Sequence, residues 1–489
     1  MRRVQNLGNL LMTAARANLE EIKEWKLEAG EEDNDRYFYH INEVDAVRRG
    51  DRNFVIGRKG SGKTAIAENI SLLADYNIFV RRLSFKNFPF NELYKHKDAK
   101  FTSSQYITFW KYVILSAVCE MMSKNENLDA EATLTLRKVF DLDFDTALSK
   151  SINRITSQSG GLTILRSGVN GAYTKTYYEN ETPWIARVES LEELIKDYVD
   201  DSTYYILFDE LDEDYKDVLD VDRRSQYFEL LGSLFKAVMD LRRKFGREIK
   251  IRPVVFIRDD IYELIDDPDS NKWGDLAVQL QWTQAALQQL AAFRISKAID
   301  PQGDILSFSD AVNALFVSPE VTTGGRGIVK RRPVFKHILD RSLMRPRDVI
   351  AYLREVASQT LASGRTRANK DNMRDAEAAY SRHLSRELIN EMHSVVPHIR
   401  DVFDILSDIR KQTVTLEEFS ERYDQLKNIH SDLPSFETTC RFLFHFSAIG
   451  NQPSQKSTEV FKYRQPGARM NFNESIIIHR GLLKALQIA

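Results

Sequence analysis

Gly57-Arg58-Lys59-Gly60-Ser61-Gly62-Lys63-Thr64 is the stretch that decides the fold, because it fills every fixed position of the phosphate-loop pattern G-x-x-x-x-G-K-[ST]. The apolar run Phe54-Val55-Ile56 before it reads as a buried strand, and Ala65-Ile66-Ala67-Glu68-Asn69-Ile70 after it has helical spacing. A strand feeding a glycine-rich turn that opens a helix gathers several backbone N–H groups and the positive end of a helix dipole at one point, which suits a polyphosphate. The glycines permit the close approach. Lys63 is placed to reach the β- and γ-phosphates and the Thr64 hydroxyl to ligate Mg2+. Gly57, Arg58, Lys59, Gly60, Ser61, Gly62, Lys63, Thr64 and Ala65 are therefore the expected nucleotide-binding residues.

A phosphate loop alone does not separate a kinase, a switch GTPase and a motor-type ATPase. The run Tyr204-Tyr205-Ile206-Leu207-Phe208-Asp209-Glu210 narrows the choice, since an apolar strand ends there in two adjacent carboxylates. Asp209 is expected to hold Mg2+ through its water shell, and Glu210 to orient and polarise an attacking water. The bland alternative is a strand entering a solvated acidic loop, because Leu211-Asp212-Glu213-Asp214 continues the acidity. Asp212 reads either as a further ligand-organising group or as surface charge. A third strand, Pro253-Val254-Val255-Phe256-Ile257, ends at Arg258-Asp259-Asp260. Lying between the other two strands, it would bring Arg258 near the γ-phosphate as a catalytic charge sensor; otherwise Arg258 pairs with Asp259 or Asp260. Arg345-Pro346-Arg347-Asp348 precedes a helix expected over Val349–Ala357, with Pro and Asp well placed for a helix start. Arg345 and Arg347 either reach a nucleotide from that helix or join the basic run of Arg326, Lys330, Arg331, Arg332, Lys336 and Arg341 on a solvated or polyanion-facing surface.

A chain of 489 residues has room for about three domains. With 43% hydrophobic and 29% charged residues and a formal net charge of −2, it is no globally basic coat for nucleic acid. Cys119 and Cys440 lie far apart without metal-ligand spacing, which fits a reducing cytoplasm. The histidines show no metal pattern either; His393 and His398 come nearest, and both read as core or solvated residues. The apolar window Ile107 to Met122 is broken by Lys111 and Glu120 and reads as a buried helix too short for a bilayer. The first residues lack the apolar stretch of a signal peptide, so the expected location is the cytoplasm, with no membrane partner.

Strand-like runs recur at 53–56, 78–83, 203–208 and 251–257 between helical stretches, the pattern of a parallel sheet with helices on both faces. About 120 residues separate the second and third runs, too many for a simple crossover, and they include a Ser/Gly/Thr-rich segment at 149–173. The expected organisation is an N-terminal helical segment (1–45), an α/β P-loop NTPase core (46–300) with a helical insertion at about 85–200, a helical lid (301–375) and a C-terminal winged-helix-like domain (376–489). In the last, a capping box at Thr415–Glu418 and a helix from about Pro434 to Phe446 precede a hairpin expected over Val460–Phe472, turning at Pro466-Gly467.

Taken together, Gly57–Thr64, Asp209-Glu210 with Asp212, Arg258 after a third strand, Arg345-Pro346-Arg347 and a winged-helix-like tail resemble the AAA+/STAND superfamily of P-loop ATPases. Within it the chain is similar to bacterial ATPases found among stress and anti-phage defence genes, well over residues 45–375 and loosely beyond. The resemblance implies an ASCE-type sheet with the sensor strand between the two Walker strands, Mg-ATP as ligand, and Arg258, Arg345 and Arg347 as sensors. No clear arginine-finger motif accompanies them. The function it implies is a regulatory ATPase that uses ATP and Mg2+ to switch conformation or assembly, controlling a homo-oligomer or a protein partner encoded nearby. A DNA-binding initiator or loader is the alternative, and a nucleoside or nucleotide kinase a third. The helix at 434–446 offers only Arg441 and His445 among apolar residues, a poor base-reading face, so any DNA binding is expected to be weak and sequence-independent.

Overall fold

A computed structural model describes residues 2–84, 103–140, 184–211, 221–323, 330–454 and 458–488. The Ser/Gly/Thr-rich segment at 149–173 and Asp212 lie outside the described residues. The chain divides into two compact units, one of His40–Lys59 with Lys63–Leu280, the other of Met1–Tyr39, Gly60–Gly62 and Gln281–Ala489.

The first unit is built on five parallel strands, β1 (Phe54–Ile56), β2 (Ile78–Ser84), β3 (Thr203–Asp209), β4 (Ile251–Ile257) and β5 (Ala277–Gln279), in the order β2-β3-β4-β1-β5. All seven residues of β3 and all three of β1 are buried. Parallel strands covered on both faces read as near-continuous apolar runs, which is why these segments carry no polar alternation. The flanking helices include Lys63–Ser71, Ser103–Ser123, Trp184–Tyr198 and Val221–Phe245. Ser103–Ser123 contains the long apolar window; its Trp110 sits edge-on to Phe208 of β3 and donates its indole N–H to the Leu230 carbonyl at 2.9 Å. The sheet order is that of a P-loop NTPase, with β4 between β3 and β1 as the resemblance implied. Strand β5 has only three residues, too few to announce itself as a strand, and it exists because β1 offers it a free edge, Phe54 facing Ala277.

The second unit is mainly helical. Gln284–Ile299, Pro346–Ala362 and Lys370–Met392 are its long helices, and Asn369 caps the last by accepting the Asp371 and Asn372 N–H groups. The N-terminal helix Arg2–Lys23 belongs to this unit, and the segment following it is tied down by Arg294, whose guanidinium lies 4.7 Å from the ring centroids of both Trp25 and Tyr37 and pairs with Glu32. A short antiparallel pair, β6 (Glu320–Thr323) and β7 (Lys330–Pro333), follows the first long helix.

The tail runs helix Ile399–Ile409, strand β8 (Thr413–Val414), helix Leu416–Ile429, helix Phe436–His445, then strands β9 (Ile449–Gln452) and β10 (Ser475–Ile478), in an antiparallel sheet ordered β8-β10-β9. Its hairpin strands are not those expected from sequence. Val460 makes only an isolated bridge to Asn451, and the Pro466-Gly467 turn lies in the loop between β9 and β10. The buried Ile449 and Ile476-Ile477-Ile478 can be covered by the helices, whereas Lys462, Arg464, Gln465 and Arg469 cannot. No described helix is long and apolar enough to cross a membrane.

Candidate nucleotide-binding site

Strand register brings the motif residues to one edge. On one side of β4, Ile56 faces Ile257; on the other, Phe208 faces Val255. Gly57, Arg258 and the Asp209-Glu210 pair therefore leave the sheet at the carboxyl ends of three adjacent strands, where open α/β sheets bind ligands. The Gly57 N–H donates to the Ile257 carbonyl at 3.1 Å and holds the loop to that edge. Gly60 and Gly62 adopt φ of +76° and +104°, which only glycine enters freely. At Gly60 a Cβ would also lie 3.0 Å from the Arg347 Cβ, so this position is doubly closed to a side chain.

Lys63 opens its helix and donates Nζ to the Gly57 carbonyl at 2.9 Å and the Arg58 carbonyl at 3.2 Å. The ammonium thus rests on its own loop, where a phosphate would offer a stronger, charge-assisted partner. Thr64 and Ala65 follow in the first turn, half-buried. Ser61 is buried and its Oγ has no partner among the described residues, while its carbonyl accepts the Trp282 indole N–H at 2.9 Å. An orphaned hydroxyl within a glycine-rich turn fits a loop shaped for an anion.

Asp209 is 3% exposed. One oxygen takes Arg82 Nη2 at 2.7 Å and the other the Glu210 N–H at 3.0 Å. Burial pushes its carboxyl above the ordinary carboxylate range, and the charges of Arg82 and Lys63 oppose that push. A buried carboxylate near a lysine and needing positive charge is a fitting Mg2+ neighbour. Arg82 also pairs with Glu68 of the helix after the loop, so one guanidinium links β2, β3 and that helix. Sequence reading missed Arg82. The signal was present as Arg81-Arg82 inside an otherwise apolar strand, where a charge requires a partner.

Glu210, half-buried, has φ of +59°, a left-handed conformation that a glutamate rarely adopts. Such outliers persist where surrounding structure imposes them, often at functional sites. Arg258 pairs with Asp260, Nε to Oδ1 at 2.9 Å, both side chains largely buried; this is the ion pair that the sequence left open.

Arg345 is placed in the interior of the helical unit at 2% exposure, bound to Asp348 at 2.9 Å and Glu391 at 3.3 Å. Burial works against its charge, but Asp348 and Glu391 more than reverse that and hold it firmly protonated. Asp348 in turn accepts the Leu343 N–H at 2.7 Å. The arginine expected to reach a nucleotide instead knits the start of Pro346–Ala362 to Lys370–Met392. Arg347 differs. Its N–H approaches the Gly60 carbonyl at 3.4 Å, its guanidinium meets Glu28 at 3.0 Å and Glu387 at 3.5 Å, and its buried Nε has no partner among the described residues.

Residues 285–389 match the family described as a FunZ-associated C-terminal helical domain, a match confined to the helical unit and well under half of the chain. No curated protein matches the sequence. Among solved structures, the Aeropyrum pernix ORC1 protein in complex with DNA is 12% identical with a TM-score of 0.38, covering 91% of this chain and 90% of its own. The Aeropyrum pernix ORC2 protein in ADPNP–ADP complexes is 10% identical at 0.39, with 91% and 92% covered. Drosophila ORC bound to DNA is 11% identical at 0.30, with 97% and 92% covered. Likenesses this remote assign no activity to the chain.

Proposed function

We propose that the protein binds ATP with Mg2+ and hydrolyses it, using the cycle to switch its helical unit between states that a partner detects. The observation that carries this is the meeting of Lys63, Asp209 and a left-handed Glu210 at the carboxyl edge of adjacent strands. Gly57–Ala65 would cradle the phosphates, with Lys63 leaving the Gly57 and Arg58 carbonyls for them. Thr64 and Asp209 would hold Mg2+, which neutralises phosphate charge when bound. Glu210 would position water and accept its proton. Arg258, fixed by Asp260, and Arg347, with its open Nε, are the residues best fitted to sense the γ-phosphate. A switch requires the partner to bind the ATP and ADP states unequally. Phosphate release by purified protein in Mg-ATP tests the reading: Lys63→Ala should lose nucleotide binding, and Glu210→Gln should bind normally but turn over about 10²–10⁴-fold more slowly. Undiminished turnover in Glu210→Gln would remove the assignment. In the anti-phage setting that the resemblance implies, cells carrying the wild-type protein should restrict phage plating and cells carrying Lys63→Ala should not.

The winged-helix-like order of the tail favours a second reading, a DNA-binding initiator or loader. Two of its cations are engaged within the fold: Arg441 lies over the Phe472 ring at 5.0 Å, and Arg480 pairs with Glu459 at 2.6 Å. That leaves phosphate contacts of low specificity. Retention of duplex DNA that falls steeply with salt, without preference for sequence, fits this reading; salt-resistant binding to one sequence that Arg441→Ala abolishes would make the tail a base reader.

A further inference from the structure

The tail also brings together residues that no sequence pattern linked. His398 immediately precedes helix Ile399–Ile409, Asp401 lies in the first turn of that helix, and His430 follows the last residue of helix Leu416–Ile429. One ligand atom from each lies within 4.8 Å of the others. His398 Nδ1 is 3.7 Å and His430 Nε2 3.4 Å from the same oxygen, Asp401 Oδ2, and the two rings lie nearly parallel with centroids 3.8 Å apart.

These separations are long for hydrogen bonds. The spacing matches that of tetrahedral ligand atoms, which at bond lengths of about 2.1 Å stand about 3.4 Å apart; because an ion lies in the plane of each imidazole that binds it, the stacked rings would turn apart on binding. The other nitrogen of His398 makes the case stronger. Nε2 lies 3.2 Å from Asp432 Oδ2, and in the neutral ring donating its proton there leaves Nδ1 an acceptor beside a carboxylate oxygen, a repulsive meeting that either a second ring proton or a cation between them relieves. A carboxylate holding the far nitrogen of a metal-bound imidazole is the usual outer support of such a ligand. His398 also has φ of +56° and makes no capping bond with its side chain, so its ring is not engaged in stabilising the helix start.

We propose that His398 Nδ1, His430 Nε2 and Asp401 Oδ2 bind one Zn2+ ion, with water in the fourth position and Asp432 as a positioning residue for His398. Two imidazoles and a carboxylate suit Zn2+ and exclude Mg2+ and Ca2+, which take oxygen ligands. The ion would clamp the start of one tail helix to the end of another.

Full-length protein stripped with chelator and titrated with Zn2+ alone should bind one ion per chain by calorimetry, and Co2+ in its place should give a tetrahedral visible absorption band. His398→Asn, which keeps a residue tolerant of the left-handed backbone, and His430→Gln should each weaken binding at least tenfold and abolish the band. Asp432→Asn should weaken it by about tenfold, and His393→Ala should leave it unchanged. Zn2+ should raise the melting temperature of the wild type and of neither histidine variant. No stoichiometric uptake by the wild type, or equal uptake by the His398→Asn/His430→Gln double variant, would overturn the site.

Discussion

Arg82 Nη2 lies 2.7 Å from Asp209 Oδ2, across the β2–β3 pair in which Ser84 faces Asp209. The same guanidinium pairs with Glu68, so it neutralises two carboxylates at the place where the proposed Mg2+ would sit. Removing it with Arg82→Met leaves buried Asp209 without its guanidinium partner, and breaking a buried pair from one side costs about 3–5 kcal/mol. Urea unfolding should show a loss of that order. The Arg82→Met/Asp209→Asn double variant should recover much of it. A single variant as stable as the wild type would mean that the pair contributes nothing to the fold.

Glu210 combines a left-handed backbone with the proposed general-base role. For a residue with a Cβ this conformation costs roughly 1–2 kcal/mol, which glycine avoids. Glu210→Gly should therefore match or exceed the wild type in urea midpoint, while phosphate release falls about 10²–10⁴-fold. Glu210→Ala should lose the same activity without the gain in stability. Such a trade-off marks strain kept for function; equal stability of the Gly and Ala variants would deny it.

Much of the core was legible because its signals are local and redundant. Gly57–Thr64 carries a complete motif, and β3 and β4 are long apolar runs whose last residues change abruptly to charge. What escaped depends on pairing across distance. Strand β5 is three residues that become a strand only beside β1. Arg82 has meaning only once β3 places Asp209 next to it. Arg345 and Arg347 look equivalent in sequence, yet they stand two positions apart at a helix start and turn to different neighbours. The His398–His430 pairing spans two helices and the strand between them, with no recurring spacing to betray it.

The divergence of those two arginines is itself testable. Arg345→Met deletes the charge shared by buried Asp348 and Glu391, so it should lower stability by about 3–5 kcal/mol in urea. Arg347→Ala loses contacts to a largely exposed Glu28 and to Glu387, and should be much milder. Its effect should appear in nucleotide titration, where losing one charge-assisted bond weakens ATP binding by about tenfold or more. Wild-type affinity in Arg347→Ala would leave Arg258 as the only candidate sensor.

Glu377 supplies a prediction with a definite sign. Its two oxygens meet His337 Nε2 at 3.0 Å and Arg341 Nε at 2.7 Å inside the helical unit. Burial works to raise its carboxyl, yet the His337 hydrogen bond and the Arg341 charge outweigh it and bring the group from 4.5 down to about 2. His337 is itself pushed below 6.5, chiefly by burial, so near neutral pH Arg341 is the lasting positive partner. Because the unfolded carboxyl takes up its proton first on acidification, the stability from this group is fully present above pH 4.5 and disappears as pH falls through about 2. His337 adds a loss of the same direction beginning below 6.5, since the unfolded imidazole protonates before the buried one. Glu377→Gln should have a lower urea midpoint than the wild type at pH 7. Below pH 6.5 the gap should first widen, because without Glu377 the buried His337 resists protonation still more strongly, and below about pH 4.5 it should narrow as the unfolded Glu377 carboxyl takes up its proton, a comparison in which the other carboxylates cancel. A gap that stays constant down to pH 3 would show that Glu377 is not held as an anion by Arg341.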